Sequence, residues 1–122
     1  MTDETRAARE SPIACDMSAI GAGLRAAHVA TGGRVFRAAA EIRELPDGYA
    51  FRLPNESGAL RDAAEFISLE RLCCPFLGFA VEVEPEGGPF WLRLTGREGV
   101  KEFIRAEVGE LLGGAIDWAG IK

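Results

Sequence analysis

The sequence predicts an α+β fold: a four-stranded antiparallel sheet made of two hairpin-helix (ββα) units, preceded by an N-terminal helix. Three observations predict it. Two stretches alternate apolar and polar residues around a turn, two longer stretches repeat apolar residues every three or four positions, and the two halves echo each other. Leu45-Pro46-Asp47-Gly48-Tyr49-Ala50-Phe51-Arg52-Leu53 resembles Glu84-Pro85-Glu86-Gly87-Gly88-Pro89-Phe90-Trp91-Leu92-Arg93-Leu94, and Glu65-Phe66-Ile67 returns as Glu102-Phe103-Ile104. A sheet with one apolar face must bury it, so the helices are expected together on one side.

Taken in order, residues 1–13 are polar and aperiodic and are expected to form a disordered arm, with one α+β domain over residues 14–122. From Asp16 or Ser18 as N-cap, Met17, Ile20, Leu24 and His28 fall on one helical stripe. Gly32-Gly33 is expected to weaken or end that helix, with Val35 and Phe36 resuming it briefly. Residues 41–45 and 49–53, joined by Pro46-Asp47-Gly48, read as the first hairpin. Asn55 or Ser57 caps the next helix, in which Leu60, Ala63, Phe66, Ile67 and Leu69 lead to Cys73 and Cys74, and Pro75 forbids it from running on. Leu77, Phe79, Val81 and Val83 mark a half-buried strand, Phe90, Leu92 and Leu94 the inner face of its partner. A last helix opens at Thr95 or Gly96, carries Val100, Phe103, Ile104, Val108 and Leu111, and stops at Gly113-Gly114.

Composition narrows the function. The 122 residues carry a formal net charge of −5, and their basic side chains are scattered, so no stripe suits a phosphate backbone and nucleic acid is not expected as a partner. No apolar run approaches the ~18 residues of a membrane span, and the N-terminus lacks the basic start and apolar stretch of a signal peptide. The expected compartment is the cytoplasm, with no membrane partner. Three cysteines form an odd set for a disulfide framework, which favours free thiols, metal ligation or redox use. Trp91, Arg52 and Arg93 project from the other face of the sheet, where a homodimer could form. Gly21-Ala22-Gly23-Leu24-Arg25-Ala26 matches a short dinucleotide fingerprint, but no strand precedes it.

The cysteine pair is the one place that looks built for chemistry. A Cys73–Cys74 disulfide would be strained, because neighbouring Cα atoms are ~3.8 Å apart and a disulfide usually spans ~4.4–6.8 Å. On a regular helix the two side chains diverge by about 100°, so both reach one ion only if the last turn unwinds. Cys15 is the candidate third sulfur. Glu70, three and four positions before the pair, could add a carboxylate or accept from a protonated thiol. His28 is the single imidazole, and a Cys/Cys/Cys/His set matches a structural zinc shell in ligand type though not in spacing.

The stretch Phe66-Ile67-Ser68-Leu69-Glu70-Arg71-Leu72-Cys73-Cys74-Pro75-Phe76-Leu77-Gly78-Phe79, followed by Leu92-Arg93-Leu94-Thr95-Gly96, resembles a group of small bacterial proteins marked by a Glu-Arg-x-Cys-Cys-Pro-Phe core. The resemblance spans roughly Cys15 to Glu107. It implies a thiol site at Cys73 and Cys74 with Glu70 and Cys15 in attendance, and implies no particular reaction.

Two chemistries then compete, with a plain dimeric interaction module as a third reading. The negative end of a helix disfavours a thiolate and favours a cation by ~0.3–1 kcal/mol, while a soft ion such as zinc, a heavy metal or a metalloid deprotonates thiols itself. Metal or metalloid binding through Cys73, Cys74, Cys15 and Glu70 is therefore preferred to a redox protein or enzyme with one cysteine as nucleophile and another as resolving thiol.

Overall fold

A computed structural model describes residues 10–114 and 116–122. The principal elements are helix α1 (Arg25–Arg37), strands β1 (Glu41–Leu45) and β2 (Gly48–Leu53), helix α2 (Ser57–Cys73), strands β3 (Gly78–Val83) and β4 (Phe90–Thr95), and helix α3 (Val100–Leu111). The protein is α+β, with three α-helices among the described residues and one four-stranded antiparallel sheet in the order β1-β2-β4-β3.

Register follows the alternation. Phe51 lies opposite Leu92, and Leu92 opposite Val81, so the apolar residues of β2, β4 and β3 share a face. The helices gather on that face: Phe36 of α1 meets Phe51 edge to face at 4.9 Å, and Arg105 of α3 donates to the Tyr49 hydroxyl at 2.7 Å. The opposite face is dressed in ion pairs, among them Arg93 with Glu82 and Arg52 with Glu41. There the Arg43 guanidinium lies 4.6 Å over the Trp91 ring and the indole N–H donates to Glu84, leaving Trp91 only 7% exposed.

Several expected boundaries move. Between Asp16 and α1 the chain makes two separate 3-10 turns, Met17–Ala19 and Ala22–Leu24, instead of one long helix. Helix α1 then runs straight through Gly32-Gly33. Packing overrides propensity here, since a Cβ on Gly32 would stand 3.1 Å from Phe66 and 3.2 Å from Leu111, so the missing side chain is what lets α1 close against α2 and α3. Helix α3 begins at Val100, after Gly99 at φ +96, and ends before Gly113 and Gly114, both at positive φ, as glycines past a helix end do. Strand β3 is an edge, and the helical layer stops short of it. Val81 and Val83 are exposed although they point to the helix side, contrary to the half burial expected. Asn55 does not cap α2; its amide donates to the Gly88 carbonyl at 2.7 Å and ties the start of α2 to the β3–β4 turn.

The expected arm over residues 1–13 falls largely outside the described residues. Of its described part, Ile13 packs against the core, and Ser11 and Glu10 meet Arg97.

Candidate functional site

Three chain segments converge at the C-terminal end of α2. Cys73 is the last helical residue, and Cys74 leaves the helix at φ −129, ψ 67 while its N–H still donates to the Glu70 carbonyl at 2.8 Å. That bend brings the two sulfurs to 3.6 Å. Pro75 follows directly, so the chain turns where the pair sits, and Leu77 N–H closes the turn on the Cys74 carbonyl at 3.0 Å. The last carbonyls of α2 need donors. One comes from Asp16, whose backbone N–H meets the Cys73 carbonyl at 2.8 Å and so lays the preceding Cys15 beside the pair.

The three sulfurs, from positions 15, 73 and 74, lie within 4.8 Å of one another. A tetrahedral ion with metal–sulfur bonds of about 2.3 Å separates its sulfurs by about 3.8 Å, so the Cys73–Cys74 contact is already near coordination spacing. Cys73 and Cys74 are fully buried, and Cys15 is exposed.

Acidic groups back the sulfurs. Glu70 is 2% exposed; its Oε1 lies 3.4 Å from Cys73 Sγ and 2.9 Å from His28 Nε2. His28 is held in place by stacking on Phe66 at 5.4 Å. Glu107 of α3 places Oε2 3.8 Å from Cys74 Sγ. The sets His28, Glu70, Cys73 and Glu70, Cys74, Glu107 each bring their ligand atoms within 4.8 Å. Among the described residues, Glu70 Oε2 and His28 Nδ1 are buried without a hydrogen-bond partner, a costly arrangement that a bound cation beside the cluster would relieve.

These surroundings set the protonation. Burial pushes the Cys73 thiol far up, aided by its hydrogen bond with Cys15 and the charge of Glu70; burial does the same to Cys74, followed by the charges of Glu70 and Glu107. Glu107 is pushed up to about 10, first by burial and then by the neighbouring, charged Glu70 carboxylate. At neutral pH the metal-free site therefore holds two neutral buried thiols and one carboxylic acid. Such thiols are poor nucleophiles until something displaces their protons.

All four residues singled out from the sequence, Cys15, Glu70, Cys73 and Cys74, come together here. His28 joins them through Glu70. Glu107 is the member that sequence reasoning misses, although a signal for it exists. It falls between Phe103, Ile104, Val108 and Leu111 on the apolar stripe of α3, where an acid needs a reason to be.

Comparison of the chain with protein-family models, curated protein sequences and solved structures returned no match. Among the described residues, no helix is long and apolar enough to cross a membrane.

Proposed function

We propose that this chain is a binding protein for a soft metal or metalloid ion, with Cys15, Cys73 and Cys74 as sulfur ligands and Glu70 in support. It belongs, in this reading, with the small bacterial Glu-Arg-x-Cys-Cys-Pro-Phe proteins, is built from two ββα units, and works in the cytoplasm. The observation that carries the reading is the meeting of three sulfurs within 4.8 Å, one from position 15 and two from the far end of α2. Soft ions select such sulfur-rich sets, and the ion supplies the deprotonation that the buried thiols resist. The same resistance weighs against a cysteine nucleophile.

Native mass spectrometry of the reduced protein with Zn(II), As(III) and Hg(II) tests the proposal. A one-to-one adduct is expected with at least one of them, lost when Cys73 and Cys74 are both replaced by serine. No stoichiometric adduct, or one that survives the double replacement, overturns it.

A further inference from the structure

Beside Cys15 lies a chamber of about 550 Å³, partly open to solvent and far larger than an ion needs. An apolar cavity of about 150 Å³ is enough to hold a benzene ring. Cys15 lines the chamber, as do Glu70 and Glu107, the carboxylates that touch the buried thiols. Val29, Phe66, Phe103 and Leu111 supply apolar wall, with Val29 half exposed at 51%. The lining includes acidic side chains and no lysine or arginine, so it favours a neutral ligand over an anion.

We propose that the ligand is a mono-organic arsenic(III) acid, R–As(OH)₂, whose arsenic is taken by the thiols while its organic group occupies the chamber. The inference rests on the thiol site proposed above and names its ligand class. Such an acid has two exchangeable hydroxyls, and Cys73 and Cys74 offer two sulfurs 3.6 Å apart. In the net reaction two As–O bonds break and two As–S bonds form; each thiol proton leaves with a hydroxyl as water, and arsenic stays trivalent throughout. Exposed Cys15 makes the first As–S bond and recovers its proton as thiol exchange passes the arsenic to the pair. The third valence of arsenic keeps its carbon; Cys73 and Cys74 do not themselves line the chamber, and the carbon enters it past Cys15, Glu70 and Glu107, which line it and stand next to the pair.

The test titrates the reduced full chain with methylarsonous acid, phenylarsonous acid and arsenite, each affinity normalised to that for dithiothreitol. Phenyl is expected to bind about tenfold or more tightly than methyl, since it buries several more carbons. Ala106→Trp, which fills the chamber from an exposed position on α3, is expected to erase that preference and to leave arsenite affinity within about twofold. Val29→Trp does the same from α1 should the first variant fold poorly. Equal normalised affinities for phenyl and methyl, or a preference that survives both variants, overturns the inference. If arsenite binds and neither organic acid does, the inference falls while the thiol site stands; if no soft ion binds at all, both fall.

Discussion

The backbone N–H of Asp16 donates to the carbonyl of Cys73 at 2.8 Å, and through this bond the end of a helix recruits the third sulfur. Proline at position 16 has no N–H to give. Asp16→Pro is expected to lower Zn(II) affinity about as far as Cys15→Ser does, roughly 100-fold, whereas Asp16→Asn, which keeps both the amide and an acceptor for Ser18, stays within about threefold. Competition with a chromogenic chelator reads all three variants. Equal affinities for Asp16→Pro and the parent protein would show that Cys15 needs no such anchor.

Thiol exposure predicts a labelling pattern. Iodoacetamide on the native, metal-free protein is expected to modify Cys15 first and Cys73 and Cys74 far more slowly, because the pair is buried and protonated; denaturant should release all three. Peptide mass mapping at short times decides it.

Proton release predicts the pH dependence of binding. Each buried thiol surrenders a proton to a divalent ion, so Zn(II) affinity is expected to rise about 100-fold or more per pH unit between about pH 6 and 8. A slope near zero would mean that the buried pair does not coordinate as thiolate.

Glu107 gives a stability prediction of opposite sign. Its folded pKa of about 10 lies above the ordinary 4.5, so between these values the folded chain holds a proton that the unfolded chain has lost. Stability of the metal-free protein therefore declines as pH rises through that window, and the penalty is absent below its lower end. Glu107→Gln mimics the protonated acid. It is expected to stabilise the metal-free protein at about pH 8 by about 1 kcal/mol, well short of the full shift because the side chain is partly exposed, and to change little at about pH 4. Urea unfolding at the two pH values provides the comparison.

Gly32 tests the helix packing that seats His28. Alanine gains up to about 1 kcal/mol of helix propensity, but its methyl would stand 3.1 Å from Phe66 and 3.2 Å from Leu111, and shifting Phe66 disturbs its packing on His28 and Phe36. Gly32→Ala is expected to lose about 1 kcal/mol net in chemical denaturation.

Much of this architecture was legible in the chain. Both hairpins follow from alternation around Pro46-Asp47-Gly48 and Pro85-Glu86-Gly87-Gly88, and the end of α2 from Pro75. What escaped depends on distant neighbours. Gly32-Gly33 looks like a break to propensity alone, because its partners Phe66 and Leu111 are remote in sequence. Alternation says which way Val81 and Val83 point, but it cannot say how far the helices reach over them. Cys15 carries no local pattern, and its place beside the pair comes from the Asp16–Cys73 backbone bond and from the packing of Ile13 and Met17 on the core.

An ion held by Cys15 and Cys73 would act as a staple between the segment before α1 and the far end of α2. Closing a span of that size removes freedom from the unfolded chain on the scale of a long-range disulfide, about 4 kcal/mol. Loaded protein should resist a protease that nicks the segment before α1, and a chelator should restore cutting there.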